Sequence, residues 1–222
     1  NVVALARDPT SMAAKALVQL STAVAKNEKV GGGAAGMVTV IRGDVTELAS
    51  LMAPMRGCVA CISVSGASRV TRPLTDLAGF FLHLVLRLSS TLKQKKTPSS
   101  PSSSSSTSFS SASSLSTAYP KTHPYNVNYL GTLHLLHAAR LASVPKLIRV
   151  TGLSVGYSSF NPITCLLNLV ISFAVRWQLA GERAIRASGI DYTLIRPGAL
   201  TNEEAAPEEL VVKGDGEGVP VG

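Results

Sequence analysis

Five short apolar runs alternate with helix-like stretches along this 222-residue chain, and that alternation limits the fold more than any other feature. Val2-Val3-Ala4-Leu5-Ala6 and residues 37–41, 59–65, 146–151 and 192–196 read as strands. Each is apolar along its length rather than on alternate positions, as in a parallel sheet covered by helices. Residues 12–29 place Ala13, Leu17, Leu20 and Val24 on one helical face. Residues 47–55, with Thr46 as cap, 126–142 and 165–188 read as further helices. Strands alternating with helices specify an α/β fold, a Rossmann-type parallel sheet with helices on both faces. The first part spans residues 1–92 and the remainder of the same domain 119–202.

Two segments fall outside that pattern. Residues 93–118 open on Lys93, Lys95 and Lys96 and are then mostly serine. Such a stretch buries too little surface to offset its chain entropy and is expected to be a disordered Ser-rich insert. Residues 203–222 form an acidic tail, six acids against Lys213, net −5. Residues 1–202 carry 20 basic and 7 acidic side chains, net +13, so the body attracts phosphate in any form. The sequence opens on Asn1 and runs directly into a strand, so the expectation is a chain truncated at its N-terminus. Three cysteines argue against a disulfide framework and for a reducing, intracellular compartment. No uncharged apolar run reaches the roughly 20 residues of a membrane-crossing helix.

Several motif matches carry less than they promise. Gly31-Gly32-Gly33-Ala34-Ala35-Gly36 fits G-x-G-x-x-G, but a helix precedes it and a strand follows, the reverse of a pyrophosphate-binding turn. Cys58 and Cys61 fit C-x-x-C but lead into a strand instead of starting a helix, so they read as buried structural thiols. His134 and His137 share a helix face with no carboxylate to complete a metal site. The lysines at 93–96 lack the interleaved aromatics that stack bases, which disfavours nucleic acid. The strand ends are more informative: Arg7, Gly43-Asp44-Val45, Ser65-Gly66, Thr151-Gly152 and Arg196-Pro197-Gly198-Ala199. Ligands of open parallel sheets bind beyond the carboxyl ends of the strands. Small residues there let a cofactor approach the backbone, Asp accepts from an amine, and Arg pairs with phosphate.

Four stretches carry a family resemblance: Val3-Ala4-Leu5-Ala6-Arg7-Asp8, Arg42-Gly43-Asp44-Val45, Val127-Asn128-Tyr129-Leu130-Gly131-Thr132, and the run from Ala187 to Leu200. The last is similar to the SGxDYTxxRPGxL stretch of the NmrA-like, plastid NAD(P)-binding branch. The chain thus resembles the atypical short-chain dehydrogenase/reductases over nearly its whole length outside the insert and tail. The resemblance implies NADP (or NAD) as cofactor and a plastid location. Arg7 would face an adenosine 2′-phosphate, and Asp44 and Val45 would flank the adenine. The backbone of Ser63, Val64, Ser65 and Gly66 would line a ribose. Thr151 and Gly152 would lie near the nicotinamide, with Pro197, Gly198, Ala199 and Leu200 closing over it.

The chain departs from that family in two places. The family's opening strand, glycine turn and helix, about 30 residues, would stand ahead of Val2. Reducing members also use a Tyr-x-x-x-Lys pair, and none of Tyr119, Tyr125, Tyr129, Tyr157 and Tyr192 has Lys four residues on. In the plastid branch a lysine commonly precedes the long helix's Glu by four residues. Ahead of Glu182 that position is Gln178, an amide able to bond a ribose but not to tune a proton donor. The expected function is a weakly catalytic or non-catalytic NAD(P)-binding protein, a redox-responsive assembly or regulatory factor. An NADP-dependent oxidoreductase or isomerase is the alternative, and an RNA- or membrane-associated adaptor the third reading. Expected partners are the dinucleotide, other proteins and a membrane surface.

Overall fold

The computed structural model describes residues 2–27, 38–67, 70–72, 75–76, 78–79, 81–82, 85, 116–157 and 160–198. The expected glycine loop at 31–36, most of the serine-rich insert, the acidic tail, Ala199 and Leu200 lie outside the described residues. The three last residues assigned to the insert, Ser116–Ala118, form a 3-10 turn.

Among the described residues all strand pairing is parallel. β1 (Val2–Ala6) pairs with β2 (Val38–Arg42). β3 (Cys61–Ser63), β4 (Lys146–Val150) and β5 (Asp191–Ile195) form a three-stranded sheet with β4 in the centre. The helices are α1 (Met12–Asn27), α2 (Leu48–Met52), α3 (Gly131–Leu141), α4 (Pro162–Val170) and α5 (Ala174–Arg186). Among the described residues the two sheets do not bond to each other, and α2 and α3 join them. Leu51 and Met55 from the α2 region pack on Leu135, Ala138, Ala139 and Val144, with Val45, Cys58 and Cys61 at the margin. A second cluster, Leu136, Leu147 and Ile185, seats α3 and α5 on one face of the three-stranded sheet. On the other face Ile62 is 66% exposed and Ile195 45%.

Three local expectations need correction. Thr46 does not cap α2: its N–H and hydroxyl both donate to Asp44 Oδ1 at 2.9 Å, and Glu47 occupies the cap position without a side-chain bond. The aspartate turn wins because it satisfies two donors at once. The helix expected over 126–142 begins as a π-helical turn, Tyr125–Leu130. There Asn128 bonds the loop after β3 in both directions, accepting from Ala67 N (2.8 Å) and donating to Ala67 O (3.1 Å). The single helix expected over 165–188 is two, bent by 104°. Ser172 and Phe173 take left-handed φ of 53° and 58° at the break. Ser172 is held there by its hydroxyl on Asp76 Oδ2 (2.9 Å) and its N–H on Thr71 Oγ1 (2.8 Å). Asn161 caps the start of α4, and at the break Arg176 N donates to Asn168 Oδ1, which satisfies one donor of the first turn of α5. No described helix alone is long and apolar enough to cross a membrane.

Close approach of α5 to the π-helical turn requires Gly181. A Cβ there would stand 2.7 Å from Asn128 O and 3.1 Å from Thr132 Oγ1. Gly181→Ala is expected to push α5 away and cost about 1–3 kcal/mol. The measurement is the urea midpoint, which should fall with little change in slope.

Candidate functional site

The expected site residues fall into two groups at the carboxyl ends of the strands. The first lies beyond β1 and β2. Arg7 Nε meets Asp44 Oδ2 at 2.9 Å, so the expected phosphate-binding cation and adenine-flanking carboxylate are paired with each other. Arg7 keeps about half of its side chain exposed. Asp44 is held further by Thr46 at Oδ1, and its backbone N–H and carbonyl both bond Ser50 Oγ at 2.9 Å. Val45 lies against Gly131, and its carbonyl accepts from His134 Nδ1 at 2.8 Å. His134 is therefore a tether between this strand end and α3. Among the described residues no three metal-ligating side chains gather.

The second group lies beyond β3, β4 and β5, beneath α5. Parallel register sets Ser63 beside Arg149 and Arg149 beside Leu194 on one face. Arg149, 2% exposed, donates from Nη1 to Ser63 Oγ and to Ser65 Oγ, the latter at 2.9 Å. Gln178 places its amide nitrogen 4.0 Å from where a Cβ on Gly66 would stand, so the amide reaches the mouth of β3. Thr151 donates to Glu182 Oε1 at 2.6 Å. Arg196 grips the same carboxylate with its fork, Nε to Oε1 at 3.2 Å and Nη2 to Oε2 at 2.5 Å. Leu153 N donates to Pro197 O, which ties the loop after β4 to the loop after β5, and Val155 N donates to Gly152 O within the first of them. Gly198 is open, with nothing close to a Cβ placed on it, and Val64 is exposed.

Ser63, Ser65, Gly66, Thr151, Gly152, Gln178 and Pro197 thus share one end of one sheet. Sequence reasoning assigned no role there to Arg149, Asn128 or Glu182. Arg149 had a visible signal, a charge between the apolar residues Ile148 and Val150 in the interior of a strand. Arg196 was grouped with possible phosphate partners, but its guanidinium is taken by Glu182.

Burial also sets the thiol chemistry. Cys61 is pushed up to about 11 by desolvation first and by neighbouring Cys58 second. Cys58 Sγ donates to Pro54 O at 3.3 Å. A thiol this weakly acidic stays protonated near neutrality and is a poor nucleophile. Both cysteines are half-buried against the α2–α3 cluster, less enclosed than expected.

Two perturbations test this geometry. Desolvation holds the His134 imidazole below its ordinary 6.5, against the opposing bond to Val45. Below that value the unfolded chain binds a proton that the folded chain resists. Stability is therefore full above about pH 6.5 and falls as pH drops toward the folded value. His134→Gln is expected to flatten the urea-midpoint profile between about pH 7.5 and 5. Glu182 is 1% exposed and neutralises Arg196, 17% exposed. Glu182→Gln leaves that guanidinium without its charge partner and is expected to cost about 3 kcal/mol. The loss should appear as a lower thermal midpoint, with far-ultraviolet dichroism unchanged below it.

The chain is 36% identical over 88 residues to the chloroplastic protein TIC 62 of Pisum sativum, covering 40% of this chain and 16% of that protein. It is 32% identical over 101 residues to an uncharacterised chloroplastic protein of Arabidopsis thaliana, 41% of this chain and 36% of that one. Among solved structures, a thiolation-reductase di-domain from an archaeal non-ribosomal peptide synthetase superposes over 89% of this chain and 35% of its own. Its identity is 14% and its TM-score 0.47. The chain thus spans well under half the length of the curated relatives it matches. The model of a family described as NAD(P)H-binding matches residues 4–220. The chain belongs to that NAD(P)H-binding family.

Proposed function

We propose that the chain binds NADP across the ends of its strands and responds to it without sustained turnover, as a regulatory or assembly factor of the plastid. The observation that carries this reading is the state of the groups facing the nicotinamide end. The Glu182 carboxylate is fully engaged by Arg196 and Thr151, and Gln178 stands at the mouth of β3. Neither an amide nor a neutralised carboxylate supplies a proton donor tuned to neutral pH. The chloroplastic relatives support the plastid setting.

Preference for NADP rests on Arg7. Asp44 fixes its Nε while half of the side chain stays exposed at the β1 end, where a 2′-phosphate can take the rest of the fork.

Two measurements check the reading together. NADPH fluorescence titration should show binding, and Arg7→Ala should weaken NADPH about tenfold while changing NADH less than about twofold, the loss of one charge-assisted pair. NADPH oxidation against a panel of aldehydes and ketones should show no sustained turnover. Steady turnover overturns the non-catalytic reading, and equal loss for both dinucleotides overturns the role of Arg7.

A further inference from the structure

The buried Arg149 is not accounted for by the fold or by the dinucleotide contacts described above. Its guanidinium is buried within the electrostatic reach of Glu182, a carboxylate already neutralised by Arg196. Among the described residues no other carboxylate pairs with Arg149. Desolvation pulls it down to about 10, opposed by the more distant charge of Glu182. It remains a cation near neutrality, held by two serine hydroxyls.

Counting protons shows where that charge is felt. Ser63 Oγ and Ser65 Oγ both accept from Arg149, and they stand 3.2 Å apart. Ser63 is buried, and Ser65 Oγ is the acceptor within reach of its hydroxyl proton. The opposite orientation, Ser65 donating to Ser63, would leave a buried hydroxyl proton unsatisfied, which is unfavourable. Ser65 therefore accepts two bonds, one of them from a cation. Its own proton is left to point out of the half-exposed mouth of β3, beside Gly66 and the Gln178 amide. Hydrogen-bonded chains of this kind polarise their last donor.

We propose that Arg149, acting through Ser63 and Ser65, makes the mouth of β3 an oxyanion subsite. It takes a phosphate or carboxylate oxygen of the ligand on the Ser65 hydroxyl, with Gln178 as second donor. Arg149 is a positioning residue, since it touches the serines and not the ligand. The inference deepens the dinucleotide reading and rests on it for access from the strand ends. The oxygen comes either from the dinucleotide's diphosphate or from a carboxylate on a second ligand.

Calorimetric titration of the 222-residue chain at low salt tests this, with inorganic pyrophosphate, acetate and adenosine as separate probes. Pyrophosphate should bind, and Ser65→Ala, at a half-exposed position, should weaken it at least about fivefold. Arg149→Met should weaken it at least about tenfold, and Arg149→Lys should restore part of the loss. Adenosine, which carries no anion, should bind all of these variants as it binds wild type. Binding of acetate in place of pyrophosphate, with the same variant pattern, assigns the subsite to a carboxylate. The proposal is overturned if neither anion binds, if a folded Ser65→Ala binds pyrophosphate like wild type, or if adenosine affinity falls in parallel. Anion binding that survives while NADPH fails to bind would overturn the dinucleotide reading and leave the subsite standing.

Discussion

One buried carboxylate organises the end of the three-stranded sheet where the functional residues meet. Glu182 is carried on α5, yet its partners are Thr151, just past β4, and Arg196, just past β5. A carboxylate with 1% exposure is tolerable only when charge and lone pairs are both answered. Here the guanidinium fork answers the charge, and the threonine hydroxyl takes a further lone pair. The consequence is geometric: the register of α5 against the strand ends is set by polar contacts, while Ile185 on the same helix fills the apolar cluster beneath. Gln178, one turn before Glu182, is thereby aimed at Gly66.

The second constraint is Asn128. Its side chain bonds both backbone groups of Ala67, substituting for a strand neighbour where β3 gives way to loop. The π-helical turn around it widens the helix enough for this, as such turns commonly do at functional sites. Thr132 donates to Asn128 O at 2.7 Å, and Gly181 lets α5 come against the same carbonyl. The loop after β3, the start of α3 and the middle of α5 are thus one unit. His134 extends it to Val45, which lies just past β2. Two sheets that share no ladder among the described residues are in this way held together through these helices.

Strand and helix order was legible because burial writes itself as apolar runs, and 2–6, 146–150 and 191–195 appeared within a residue of their expected bounds. The break at Ser172 was not, since 165–188 has helical composition throughout. What breaks it is a pair of bonds to Thr71 and Asp76, about a hundred positions away in sequence. Likewise Thr46 looked like a cap because nothing in the sequence shows that Asp44 will capture its donors. Of the site, the strand-end positions could be read from small residues next to apolar runs. Pairings could not: that Arg7 would meet Asp44, or Arg196 meet Glu182, depends on how strands distant in sequence are brought into register. A guanidinium in a strand-end motif is equally compatible with a ligand phosphate and with a protein carboxylate. Only the fold decides between them.

The same ambiguity bears on the basic excess of the body. A net +13 over residues 1–202 suggests a phosphate-rich partner, yet charges at an exposed surface act weakly and are screened within about 8–10 Å. Lys121, paired with Glu47 and largely exposed, is of that kind. Arg149 differs because burial removes the screening. A buried ion is costly enough that an apolar residue of similar size would often serve stability better. The position is a β4 site whose strand neighbours on the same face are Ser63 and Leu194, so nothing in the packing demands an arginine. Two serines, rather than a carboxylate, receive its bonds, so its charge is passed along instead of cancelled. A cation maintained at that cost, and directed by hydroxyls toward the open end of the sheet, is accounted for by what it attracts there and not by what it holds together.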